Sequence, residues 1–190
     1  MKPRKTLVLF AFVPCLLSAA TATAQELVDF TIVDRVQFSV PAEWPVIANK
    51  STSEKTVFAF QIPSAADKDT SDSSNLSVIS TDLKTAQDRD AFQEQASGTS
   101  QNAQVKNLVE GWGCCTFSAV QHSTQTSYVI WDCRRMIAEC GVSVRMRWPH
   151  LPKNPNDFDK QMEIVLSSFL ASVGPFKGLP KSGVLRRQTN

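Results

Sequence analysis

The chain alternates between apolar and polar side chains over most of its length, which predicts a protein built mainly from strands. Val36, Phe38 and Val40 alternate with polar neighbours, as in a strand with one buried face. The other predicted strands cover residues 45–48, 56–62, 75–80, 116–121, 126–133 and 141–148. Residues 104–109 fit either a short strand or a linker.

Two segments have helical patterns instead. Residues 85–96 begin with Thr85 and Asp88, the spacing of a capping box, and their thin apolar side predicts a surface helix. A second helix is predicted to begin at Asn154 and Pro155 and to end before Gly174. Its apolar stripe predicts that it covers the sheet. The stripe consists of Phe158, Met162, Val165, Phe169 and Val173, widened by Leu166 and Leu170.

Four cysteines fall within residues 111–149, the predicted meander of three strands. Centring its first turn on Ser123 and Thr124 places Cys114 opposite Cys133, close enough for a disulfide. We therefore expect two disulfides, Cys114–Cys133 and Cys115–Cys140, that staple the meander. A Cys133–Cys140 bridge across the second turn is the alternative.

The first residues have the layout of a secretory signal peptide. A basic start is followed by an apolar run over residues 7–17 and by Ala22-Thr23-Ala24, an Ala-x-Ala cleavage signal. We predict cleavage after Ala24, a single domain over residues 25–174 and a disordered basic tail over residues 175–190. The expected location is periplasmic or secreted, with no stable membrane insertion after cleavage.

Removing this leader changes the charge of the chain. The whole sequence has 20 Lys and Arg against 18 Asp and Glu, a formal charge of +2. The leader holds three of the basic residues and no acid, so the remainder has a formal charge of −1. Nucleic-acid binders usually carry a clear basic excess, and we therefore predict no nucleic-acid partner.

The order of elements and two short motifs resemble the PsbP-like and DcrB-like superfamily. The motifs are Pro41-Ala42-Glu43-Trp44 after the first apolar strand and Trp148-Pro149 after the last. The resemblance implies an α+β fold, a twisted antiparallel sheet with helices on both faces. It also implies a non-catalytic role, because members are mostly accessory subunits, adaptors and binding proteins. It supplies no catalytic residues.

Arginines on adjacent predicted strands are the candidate binding residues. Arg134, Arg145 and Arg147, with Arg135 beside them, would form a cationic patch for an acidic protein or an anionic ligand. Trp131 would be an aromatic anchor of the kind that interfaces use, although the more ordinary role for a tryptophan here is in the core. The alternative is a solvated sheet face, or pairing with Glu139 and other acids.

No catalytic or metal motif is visible. His122 and His150 fall in predicted loops, and nothing has the spacing of zinc ligands. We predict no cofactor and no enzymatic activity. The predicted function is an extracytoplasmic protein-binding or accessory module, a class that includes inhibitors and immunity proteins. The alternative is a thiol-disulfide oxidoreductase that uses the cysteines of the meander, although no Cys-x-x-Cys is present.

Overall fold

A computed structural model describes residues 25–63, 74–94, 103–123, 125–150 and 155–178. The predicted leader and residues 179–190 of the predicted tail lie outside the described residues. The elements, in chain order, are β1 (Leu27–Ile32), β2 (Val36–Pro41), β3 (Val46–Ser51), β4 (Lys55–Ile62), β5 (Ser74–Asp82), α1 (Ala86–Glu94), β6 (Gln104–Lys106), β7 (Gly113–Gln121), β8 (Thr126–Ile137), β9 (Cys140–Pro149), α2 (Pro155–Ser172) and β10 (Gly174–Pro175).

Seven strands form one antiparallel sheet in the order β3-β4-β5-β9-β8-β7-β6. The predicted hairpin register is confirmed, because Cys114 pairs with Cys133 and Phe117 with Ile130. β8 is longer than predicted and continues to Ile137. The coarse fold class, α+β with mainly antiparallel sheets, is therefore confirmed.

A second, smaller sheet has the order β1-β2-β10, with both neighbours antiparallel to β2. The sequence pattern did not predict β1 or β10. Residues 175–178 also correct the predicted disordered tail, because they are held against the small sheet. The amide of Phe176 donates to the carbonyl of Arg35 at 2.9 Å, and the amide of Lys177 donates to Oε1 of Gln37 at 3.3 Å.

The core lies between the large sheet, the small sheet and α2. We call the side of the large sheet that carries Phe58, Val78 and Val144 the inner face. The ring of Phe38, from β2, stacks on Phe30 at 5.6 Å and meets Phe58 edge-on at 6.0 Å. Such aromatic pairs are worth about 1 kcal/mol each beyond the area that they bury. The Phe38–Phe58 pair joins the small sheet to the large one.

The predicted apolar stripe of α2 faces this core. Met162, Leu166 and Phe169 are buried, whereas Ile164 on the opposite side is exposed. A polar contact adds to the packing, because Nε1 of Trp148 donates to Oδ1 of Asp159 at 2.6 Å. This bond fixes the start of α2 against the end of β9.

The capping box at the start of α1 is confirmed. The amide of Asp88 donates to the hydroxyl of Thr85, and the amide of Thr85 donates to the carboxylate of Asp88, both at 3.0 Å. No residue of α1 is buried, as its thin apolar side predicts. Neither helix in the described part of the chain is long and apolar enough to cross a membrane.

Gly141 allows α1 and the segment before it to approach β9 closely. A Cβ atom added at Gly141 would lie 2.9 Å from Cδ1 of Leu83 and 2.9 Å from Cε2 of Phe92. Real Cβ atoms do not come so close to other carbons. A side chain at this position would therefore push Leu83 and Phe92 away from the strand.

The turn between β8 and β9 carries backbone strain. Ile137 pairs with Cys140, and the two residues between them, Ala138 and Glu139, have φ angles of 47° and 68°. Two-residue hairpin loops of this kind favour Gly at the second position, because left-handed φ is unfavourable for residues with a Cβ atom.

We predict that Glu139→Gly stabilises the protein by about 1 kcal/mol, because it relieves the left-handed strain. The measurement is the free energy of unfolding in urea. Glu110→Gly is the matched control, since Glu110 is exposed in a turn and its φ is not positive. The control should be neutral or destabilising. Equal effects of the two substitutions would contradict the prediction.

Candidate functional site

The predicted arginines lie on the outer face of the large sheet, opposite the core. Residues of β9 alternate, so that Val144 and Met146 face the core while Arg145 and Arg147 point away from it. Cross-strand pairing sets Arg145 opposite Asp132 and places Arg134 on the same face of β8. The structure therefore brings Arg134, Arg145 and Arg147 together. We call these three residues the arginine face.

A buried carboxylate organises two of the three arginines. Asp132 is only 5% exposed. Its Oδ2 accepts from Nη2 of Arg145 at 2.7 Å, and its two oxygens accept from Nε and Nη2 of Arg134, each at 3.4 Å. The hydroxyl of Ser143 donates to Oδ1 at 3.2 Å. Charge-assisted bonds of this kind fix the guanidinium groups in position.

Opposing effects act on the pKa of Asp132. Burial is the largest single effect and raises the pKa, because it penalises the charged form. The hydrogen bonds and charges of Arg145 and Arg134 act in the opposite direction. Together, these interactions with the two arginines outweigh the effect of burial, and the pKa of Asp132 lies below its ordinary value. The carboxylate is therefore ionised at neutral pH.

Arg147 is held by neutral partners instead. Its guanidinium lies over the ring of Tyr128, 4.9 Å from the centroid. With the Asn75 amide turned so that its oxygen faces Arg147, that oxygen accepts from Nε at 2.7 Å and from Nη2 at 3.2 Å. Neither partner carries a charge, so the positive charge of Arg147 is not neutralised by them.

The arginine face consequently keeps an excess of positive charge. Arg145 is paired with the carboxylate of Asp132, which also accepts from Arg134, and Arg147 has only the neutral partners named above. In the described part of the chain, Arg145 and Arg147 form no ion pair with any other acid. The side chain of Arg145 is 53% exposed, whereas that of Arg134 is 15% exposed and lies over Phe92 at 5.6 Å. Arg145 is thus the most exposed arginine of the face, and Arg147 beside it is half-buried.

Two predicted members of the patch lie elsewhere. Trp131 is wholly buried on the inner face, below Lys106, whose Nζ lies 5.2 Å from its ring centroid. It is a core residue and not a surface anchor, because the alternation of β8 turns it away from the arginines. Arg135 has the same inward register, opposite Val142, and its exposed guanidinium lies near Gly111.

Asp132 was not identified from the sequence as part of the site. The predicted acidic partner was Glu139, which lies in the turn between β8 and β9. The sequence did contain a signal that Asp132 lies near the arginines. The alternation within β8 places Asp132 between Ile130 and Arg134 on one face. Its position opposite Arg145 depends on the register between β8 and β9, and no predicted turn fixed that register.

The disulfide prediction is half correct. Cys114 and Cys133 are bonded, while Cys115 and Cys140 are free and buried. Cys115 lies on the outer face opposite Asp132, in register with Arg145, and Cys140 lies five residues before Arg145 on the inner face. Five residues of strand span about 16 Å, far beyond the reach of a disulfide. The predicted Cys115–Cys140 pair is therefore wrong, and the alternative Cys133–Cys140 pair is wrong too.

The free thiols have different surroundings. Burial raises the pKa of Cys115, and nearby Asp132 raises it further, against the opposing charges of Arg134 and Arg145. Cys115 is thus protonated and unreactive at neutral pH. Cys140 lies 3.5 Å from Nη1 of Arg35, which also bonds Asp82 at 3.1 Å.

The histidines and acids do not assemble into a metal site. Nδ1 of His150 lies 3.5 Å from Oδ2 of Asp159, and His122 is exposed in the turn after β7. Among the described residues, no three His, Cys, Asp or Glu side chains are grouped closely enough to hold an ion.

The chain matches no protein-family model, and no curated protein matches it. Among solved structures, the protein Mog1 E65A mutant matches with a TM-score of 0.48 and 11% sequence identity. The match covers 81% of this chain and 97% of that chain. A likeness at this level carries no argument about function.

We predict that Asp132→Asn lowers the free energy of unfolding at pH 7 by about 1–3 kcal/mol, because the charge-assisted hydrogen bonds from Arg134 and Arg145 weaken. A lowered pKa stabilises the fold above the unfolded-state value, near 3.9, and this contribution is lost as the pH falls through the lower folded-state pKa. The difference between wild type and variant should therefore shrink below about pH 4.

Urea unfolding at pH 7 and pH 3 measures this difference. Asp90→Asn is the control, because Asp90 is exposed on α1. Its effect should stay within about 0.5 kcal/mol at both pH values. An Asp132→Asn variant as stable as the wild type at pH 7 would show that the carboxylate does not organise the arginines.

A thiol titration tests the cysteine assignment in the chain that begins at residue 25. The folded protein should react slowly, because both free cysteines are buried. Unfolding without reductant should expose two thiols, and unfolding with reductant should expose all four. Finding no thiol after unfolding without reductant would restore the second disulfide.

Proposed function

We propose that this chain is a non-catalytic, extracytoplasmic binding module whose arginine face binds an acidic segment of another protein. The observation that carries the proposal is the arrangement around Asp132. A buried carboxylate holds Arg134 and Arg145 on the sheet surface, and the side chain of Arg145 remains 53% exposed. Planar guanidinium groups suit carboxylate partners, because they donate two parallel hydrogen bonds.

Preorganisation supports binding rather than a purely solvated surface. A free arginine side chain loses up to about 2 kcal/mol of rotamer entropy when it is immobilised. Here Asp132 holds Arg145 in advance, and Tyr128 with Asn75 holds Arg147. A partner therefore meets cations that have already lost much of this freedom.

The alternative, a thiol-disulfide oxidoreductase, has less support. Its two free thiols, Cys115 and Cys140, are buried on opposite faces of the sheet, and no Cys-x-x-Cys is present. The thiol titration also addresses this alternative, because a disulfide that is easily reduced in the folded protein would favour it.

The extracytoplasmic location and the finer fold are part of the proposal. The location is supported by the signal-peptide pattern of residues 1–24 and by the disulfide between Cys114 and Cys133. The PsbP-like sandwich with helices on both faces is supported by α2 in the core and by the contact of Phe92, in α1, at Gly141.

The experiment measures binding of a short, fluorescein-labelled, Glu-rich peptide by anisotropy. Its analogue with Gln at every Glu position serves as the neutral comparison. We expect the double variant Arg145→Gln with Arg147→Gln to bind the acidic peptide about a hundredfold more weakly, since each lost charged bond is worth about 1.4 kcal/mol or more.

Lys50→Gln with Lys160→Gln is the control variant, because it removes two exposed positive charges away from the arginine face. It should bind like the wild type. Equal weakening in both double variants would mean that net charge alone attracts the peptide, and equal binding of the Gln analogue would contradict the proposal outright.

A further inference from the structure

A cavity of about 690 Å³ adjoins the arginine face, between α1 and the outer face of the large sheet. Arg145 and Ser143 line one side of it, so the cavity continues the surface that carries the proposed function. Its size is within the range of ligand pockets. Gly141 makes its shape possible, because Leu83 and Phe92 approach the sheet where that residue lacks a side chain.

The charged residues around the cavity favour an anion. Two of its acids are paired with cations, Glu54 with Lys84 at 3.0 Å and Asp82 with Arg35 at 3.1 Å. Asp88 keeps its charge, but its carboxylate accepts from the amide of Thr85 in the cap of α1. Lys55 also lines the cavity, and among the described residues it forms no ion pair. The cations directed to the cavity and not neutralised are therefore Lys55 and the outward part of Arg145.

Part of the cavity wall is apolar. Four residues supply it, from β5, the segment before α1, and α1 itself: Ile79, Leu83, Ala91 and Phe92. Phe92 is only half-buried, although it is the largest apolar side chain of α1. An anion without an apolar group would leave this wall in contact with water. The lining therefore suits a ligand that has both a negative charge and an apolar group.

We infer that this cavity binds a large apolar side chain that stands next to an acidic residue in a partner's peptide segment. The acidic residue contacts Arg145, and the apolar side chain enters between Phe92 and Ile79. Lys55 attracts a second acid further along the segment. This inference rests on the proposed function and defines the motif that the arginine face recognises.

The test compares two labelled peptides of equal charge. One has Leu beside each Glu, and the other has Ser in place of each Leu. We expect the Leu peptide to bind about tenfold more tightly, because a partly buried Leu contributes about 1.4 kcal/mol. The full chain after residue 24 is used throughout.

Two pairs of variants locate the effect. Ala91→Glu sets a negative charge on the apolar wall and should weaken binding of the Leu peptide about tenfold, whereas Ala86→Glu, an exposed position on the same helix outside the cavity, should not. Lys55→Gln should weaken it about threefold, and Lys50→Gln should leave it unchanged. Unaltered urea unfolding midpoints confirm that the variants fold.

The outcomes separate this inference from the proposed function. If both peptides bind equally and only the Arg145 and Arg147 variants weaken them, the proposed function holds and the cavity inference fails. If Ala91→Glu and Ala86→Glu have the same effect, the inference fails as well. If neither acidic peptide binds, the proposed function itself is contradicted, and the inference with it.

Discussion

The charged network on the outer sheet face depends on one buried carboxylate. Asp132 is buried, yet it is ionised, because Arg134, Arg145 and Ser143 all donate to it. A buried charge without such partners would be strongly destabilising. The reverse dependence also holds, since without the carboxylate Arg134 would be a largely buried cation. The carboxylate and the two guanidinium groups therefore stabilise one another.

The remainder of the fold keeps that unit in place from the other side of the sheet. The Cys114–Cys133 bond joins β7 to β8 on the inner face, directly next to the register position of Asp132. In the chain-entropy account, closing a loop of this length stabilises a fold by about 3 kcal/mol. Trp131 lies wholly within the core. The residues on either side of Asp132 are thus fixed by the disulfide and by packing.

Alternation within single strands could be predicted from the sequence with good accuracy. Val142, Val144 and Met146 are buried and Arg145 is exposed, as the period of two requires. The turn at Ser123 was enough to fix the β7–β8 register and its disulfide. Contacts between strands far apart in sequence were beyond the same reasoning. Asn75 faces Arg147 across β5 and β9, and no local pattern specifies that pairing.

The wrong predictions concern which face of the sheet a residue occupies. Cys115 and Cys140 were expected to pair, but the pairing of β7, β8 and β9 places them on opposite faces of the sheet. Trp131 was a candidate surface anchor because it is close in sequence to the arginines, but the alternation of β8 places it in the core, its more ordinary role. The short strand β10 has only two residues, and its pairing with β2 depends on where α2 ends.

The central claim is that Arg145 and Arg147, held on the outer sheet face, form the binding surface. Titration of the labelled protein with the Glu-rich peptide, followed by NMR of the arginine Nε–Hε groups, tests it most directly. The account predicts that the signals of Arg145 and Arg147 shift first and saturate together, while that of Arg89 on α1 stays in place. Shifts confined to other arginines, or spread equally over all of them, would contradict it.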